Sequence, residues 1–142
     1  MNAPAPLFAA EFPATAMEVR AQLVRVEAAF GSDRYDGDAV SDMLIVLAEL
    51  LNNVVEHAGV SGSGHIRIAV SQADDRLRVE ASDDGGALPP SLLAGAPAPV
   101  FDAPVEDLPE GGFGWFIIHS LVDDMTYERE GGRNHLSFSL AA

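Results

Sequence analysis

The chain contains no cysteine and no lysine. The first absence excludes a disulfide framework and a thiolate zinc site. The second leaves eight arginines against 22 acidic residues, a formal net charge of −14. A surface that negative repels nucleic-acid phosphates and anionic membranes, so neither is expected as a partner, whereas partners with basic patches are favoured. Long hydrophobic runs are missing too. None approaches the roughly 18 uncharged apolar residues of a membrane span, and the apolar stretch Met1–Ala10 has no basic leader. A cytoplasmic location is expected. The four histidines, His57, His65, His119 and His135, have no metal-ligand spacing, and no serine sits in a nucleophile elbow.

What remains is ordinary globular material: 142 residues, 48% apolar and 21% charged, enough for one domain spanning 1–142 with its own core. Residues 1–6 read as a disordered Pro/Ala start before a short strand near 7–12. Met17, Leu23, Val24, Val26 and Phe30 recur at about helical spacing, predicting a helix over 14–30 stopped by Gly31. Asp38 is a candidate cap for a second helix running to about Ala58, with Val40, Leu44, Leu47, Leu51 and Val54 as its stripe. The period then changes. Ile66, Ile68 and Val70 alternate with polar neighbours, as do Leu77, Val79 and Ala81, and a turn at Ala73-Asp74-Asp75 makes them a hairpin. Residues 83–112 form a long irregular segment holding six of the nine prolines. Such loops are uncommon in compact domains and are usually functional or disordered. A helix from Phe113 to about Asp123 and two strands, 125–130 and 135–140, joined at Gly131-Gly132, complete an α+β order.

Three places carry candidate chemistry. Glu49 and Asn53 lie four apart within an apolar helical run, so they share one face. A carboxylate that can take a proton, one turn from an oxygen that can bind Mg²⁺, would explain them; so would the solvated edge of an amphipathic helix. Asp83-Asp84-Gly85-Gly86 follows a strand. It is either a plain turn or an acceptor for an exocyclic amine such as adenine's, with Gly85 letting the base approach. Gly111-Gly112-Phe113-Gly114 opens a helix, where exposed N–H groups and partial positive charge can hold a phosphate. It matches neither a Walker A loop nor G-x-G-x-x-G after a strand. Trp115 and Phe116, just beyond, read as core.

In this order, Glu49…Asn53, Asp83-x-Gly85 and Gly112-x-Gly114 resemble the N, G1 and G2 boxes of the ATP-binding fold shared by gyrase, Hsp90, histidine kinases and MutL. Within it the segments 48–58, 108–118 and 123–134 are similar to those of anti-sigma-factor serine/threonine kinases of the RsbW type. The resemblance covers nearly the whole chain from Phe12 onward. It implies a two-layer α/β sandwich with a mostly antiparallel sheet covered by helices on one face. It implies ATP and Mg²⁺ as cofactors, Glu49 as general base and Asn53 as Mg²⁺ ligand. Asp83 and Gly85 would read adenine, and Gly111, Gly112, Phe113 and Gly114 would cradle phosphates beneath a lid of residues 88–111. A sigma factor, a STAS-domain antagonist phosphorylated on serine or threonine, and a second copy of the chain are the implied partners. Histidine kinases typically carry Asn at the position of Glu49. Two features depart from the pattern: Ala87 replaces a second glycine of G1, and no Lys or Arg occurs between Asp83 and Tyr127. The latter favours one alternative, a nucleotide-binding partner switch without phosphotransfer; a small ATPase or a histidine-kinase-like regulator of two-component proteins is another.

Overall fold

A computed structural model describes residues 5–31, 37–58, 64–87 and 112–141. The segment 88–111, the expected lid, and Gly111 therefore lie outside the described residues. Five strands form one sheet in the order β1-β2-β3-β5-β4: β1 (Phe8–Pro13), β2 (His65–Ala73), β3 (Arg76–Asp83), β4 (Asp123–Glu130) and β5 (Arg133–Ala141). Every neighbouring pair is antiparallel. Among the described residues three helices accompany it: α1 (Ala16–Phe30), α2 (Gly37–Ala58) and α3 (Gly112–Leu121). The expected sandwich is present.

Period-2 alternation sends Ile66, Ile68, Val70, Leu77, Val79, Leu136, Phe138 and Leu140 to one face, each at most 4% exposed. Each contributes about 1.5–3 kcal/mol by leaving water. The helices meet that face: α2 packs between α1 and α3 and also touches β5. This explains why its buried stripe is wider than the sequence suggests. Met43, Val46 and Leu50 join Val40, Leu47, Leu51 and Val54, while Leu44 is only half-buried.

Several boundaries differ from expectation. Thr15 caps α1 in extended geometry, its hydroxyl accepting from Glu18 N at 3.2 Å, so the helix starts at Ala16 rather than Ala14. Its buried positions are Val19, Gln22, Val26 and Phe30; Met17 and Val24, which marked the helical spacing in the sequence, are 80% and 62% exposed. The true stripe runs through a glutamine, which hid its phase. Gly31 caps the end of the helix, a position that takes only glycine because any Cβ there would sit 2.7 Å from the Glu27 carbonyl oxygen. Asp38 lies inside the first turn of α2, where its charge still suits the helix dipole. Helix α3 stops at Leu121 and β4 begins at Asp123, bulged between Asp123 and Thr126 with Asp124 at φ 54°. β5 starts at Arg133, two residues earlier than its apolar alternation suggests, directly after the Gly131-Gly132 turn, whose φ values are both positive as a tight hairpin requires.

Gln22 is 6% exposed and its Oε1 has no hydrogen-bond partner among the described residues. An unpaired buried amide oxygen costs about 1–3 kcal/mol. Gln22→Leu should therefore raise the urea midpoint and stabilise the protein by about 1 kcal/mol; a lowered midpoint would show that the amide is satisfied in solution.

Candidate functional site

The face of α2 that carries Leu50, Leu51 and Val54 into the core also carries Asn53, 9% exposed. Its Nδ2 donates to the Glu49 backbone carbonyl at 2.7 Å, one turn back. That bond fixes the amide, and Oδ1, a neutral, hard oxygen of the kind Mg²⁺ accepts, takes no hydrogen bond from any described residue. Glu49 is half-buried, and its carboxylate takes no hydrogen bond from any described residue. Among the described residues no group of three or more His, Cys, Asp or Glu could hold a metal. A Mg²⁺ that shares one side-chain oxygen with substrate phosphates needs none.

At the end of β3, Asp83 falls on the buried face of the sheet, 6% exposed. Its Oδ1 accepts two hydrogen bonds, from Gly85 N at 2.8 Å and from Asn134 Nδ2 at 3.0 Å. The first closes a tight turn, the Asx geometry that Asp-x-Gly favours. The second crosses the sheet, because β3–β5 register sets Asp83 opposite Asn134. Asn134 is 2% exposed and also donates to the Gly86 carbonyl at 2.8 Å. Its own Oδ1 accepts from the Tyr127 hydroxyl and from Arg129 Nη1 at 2.9 Å. Arg129 donates again, to the Gly85 carbonyl at 3.0 Å. The Asp83–Gly86 turn is thus tied down by residues of β4 and β5. Asp84 points elsewhere: its Oδ1 accepts from His65 N at 2.9 Å and anchors the start of β2.

Gly112, Phe113 and Gly114 occupy the first turn of α3, where backbone N–H groups lack intrahelical partners and the dipole favours an anion. α3 packs on α2. Both Asn53 and Asp83 therefore face the layer between helices and sheet, although no hydrogen bond among the described residues joins the Glu49–Asn53 pair to the Asp83 turn. Two concavities over the described residues, one on the open sheet face around Glu80 and His135 and one between α1 and α2 around Leu23 and Leu44, include none of these side chains.

A family model for the histidine kinase-like ATPase domain matches residues 12–140. The chain belongs to that family. Among curated proteins the chain is similar to a serine-protein kinase RsbW of Bacillus cereus (strain G9842), 35% identical over 96 residues. The match covers 67% of this chain, which spans 60% of that relative's length. The family fold is matched by the structure of the RsbU and RsbW domains of Rv1364c from Mycobacterium tuberculosis, at TM-score 0.64 and 18% identity over 99% of this chain and 33% of that one. The SiaB–SiaC complex from Pseudomonas aeruginosa gives TM-score 0.64 and 17% identity over 96% of this chain and 91% of the other.

Sequence reasoning missed Asn134, Tyr127 and Arg129. The signal was present: the alternation Leu136, Phe138, Leu140 extended one step back puts Asn134 on the buried face. A strand that begins with polar residues conceals that step. Asp84 and Asp83 make opposite predictions despite being adjacent. Asp84→Ala should lower stability by about 1 kcal/mol in denaturant unfolding through loss of the His65 amide bond while leaving nucleotide affinity as it was; a lost affinity would mean that the wrong aspartate has been assigned to the ligand.

Proposed function

We propose that the chain is an anti-sigma factor and ATP-dependent serine/threonine protein kinase of the partner-switching kind. The observation that carries this reading is the likeness to serine-protein kinase RsbW at 35% identity, with a carboxylate, Glu49, one helical turn before the buried Asn53. Asp83 would accept a hydrogen bond from the 6-amino group of adenine, with Gly85 giving the base access. The first-turn amides of α3, from Gly112 to Gly114, would hold phosphate oxygens, together with Gly111 and beneath residues 88–111 as lid.

Asn53 Oδ1 would hold Mg²⁺, whose chemistry is to neutralise charge on the phosphates during transfer. Glu49 takes the proton from the attacking serine or threonine hydroxyl. The hydroxyl oxygen forms its bond to the γ-phosphorus as the bond from that phosphorus to the β–γ bridging oxygen breaks, and ADP leaves with the electron pair. Arg129 is engaged at the base end, on Gly85 and Asn134. A cation for the transferred group is therefore best supplied by a partner.

A STAS-type antagonist is the substrate we assign. The SiaB–SiaC complex, in which a similar fold is bound to a second protein, supports a docked partner. The net charge of −14 suits docking to basic helices of a sigma factor. A homodimer and a cytoplasmic location belong to the same reading. No helix among the described residues is long and apolar enough to cross a membrane.

With labelled ATP and a STAS-type antagonist, Glu49→Gln should slow phosphorylation by about 10²–10⁴-fold, the usual worth of a general base, with ATP affinity kept. The phosphate should survive acid. An unchanged rate would remove Glu49 as base; acid-labile phosphate would indicate phosphohistidine and a regulator of two-component proteins. Asn53→Ala should abolish the Mg²⁺ dependence of ATP binding, and binding that stays Mg²⁺-dependent would remove Asn53 as ligand.

A further inference from the structure

We infer that Asn134 is a positioning residue for adenine recognition, held in its working orientation by Tyr127 and Arg129. The inference rests on the reading of Asp83 as the adenine acceptor and extends it to three residues on β4 and β5.

The hydrogen bonds at Asp83 are lopsided. A carboxylate offers about four acceptor positions over two oxygens. Both donors that reach it, Gly85 N and Asn134 Nδ2, go to Oδ1. Oδ2 receives none from the described residues, and although Asp83 as a residue is only 6% exposed, this oxygen is not fully enclosed and stays reachable by a ligand. The arrangement loads one oxygen to present the other, and an exocyclic amine is the donor that Oδ2 suits.

The amide of Asn134 has one workable orientation. Its oxygen faces two donors, the Tyr127 hydroxyl and Arg129 Nη1, and its nitrogen faces two acceptors, Asp83 Oδ1 and the Gly86 carbonyl. Rotating the amide by half a turn would set its NH₂ against the guanidinium and its oxygen against the carboxylate, reversing favourable contacts at both ends. Tyr127 and Arg129 therefore determine where the amide nitrogen lies, and the nitrogen determines where Asp83 points. Arg129 adds a second tether through the Gly85 carbonyl. A residue whose only task was to pin the Gly86 carbonyl would need none of the bonds to Asp83.

The test is equilibrium binding of ATP and of purine riboside 5′-triphosphate, which lacks the 6-amino group, to the full chain with Mg²⁺. Wild type should prefer ATP. Asn134→Ala should reduce that preference by roughly tenfold, about the worth of one hydrogen bond to a charged group, by weakening ATP and leaving the analogue nearly as before. Tyr127→Phe should shift the ratio in the same direction by less. Equal weakening of both nucleotides, or an unchanged ratio, would overturn the inference. If Asn134→Ala does not fold, Tyr127→Phe combined with Arg129→Gln decides by the same ratio. Asp83→Asn separates the two levels. If it retains the preference, the adenine reading itself fails. If it erases the preference while the Asn134 and Tyr127 variants keep it, only the positioning role fails.

Discussion

One buried contact between strands, Asn134 Nδ2 to Asp83 Oδ1 at 3.0 Å, connects the sheet to the chemistry. Both residues fall on the apolar face of the sheet, where an isolated carboxylate or amide would cost several kcal/mol. They are tolerated because the network around them is nearly complete: two donors on Asp83 Oδ1, two acceptors for the Asn134 nitrogen and two donors on its oxygen. In a low-dielectric setting such a network is stiff when satisfied and costly when broken. It also depends on register. A slip of one residue between β3 and β5 would turn Asn134 to the opposite face and leave the carboxylate unsupported. The apolar alternation that prevents such a slip is consequently part of the site.

The architecture was legible because its signals are periodic. Ile66, Ile68 and Val70 and then Leu77, Val79 and Ala81 announce two half-buried strands, and a 22-residue apolar helix follows from its stripe. Glu49 and Asn53 were legible for the opposite reason, as polar residues in a run that should have none. α1 was misphased because Gln22 occupies a core position while Met17 and Val24 face outward; hydrophobicity alone ranks those residues the wrong way. The supports of Asp83 were hidden because they are remote in sequence. Asn134 lies 51 residues from Asp83, and only the pairing of β3 with β5 brings them together.

Charge divides the molecule in a consistent way. Several arginines of the sheet are engaged by local partners: Arg67 by Glu11, Arg76 by Asp123 and Ser139, Arg129 by the Asp83 turn. The exposed pairs contribute little to stability. The Arg76 guanidinium is raised above its ordinary pKa, chiefly by its hydrogen bond to Asp123. Apart from Arg129, held on Gly85 and Asn134, the candidate site groups are neutral or acidic: an amide oxygen at Asn53, carboxylates at Glu49 and Asp83, and helix amides at α3. Such a set suits the proposed nucleotide and metal, and offers little positive charge beyond them.

The most direct check of the account is the structure of the full chain bound to Mg²⁺ and a non-hydrolysable ATP analogue. The predicted complex has the adenine 6-amino group within hydrogen-bond distance of Asp83 Oδ2, Asn53 Oδ1 on the Mg²⁺, and phosphate oxygens at the first turn of α3. Adenine bound away from Asp83, or Mg²⁺ held without Asn53, would contradict it.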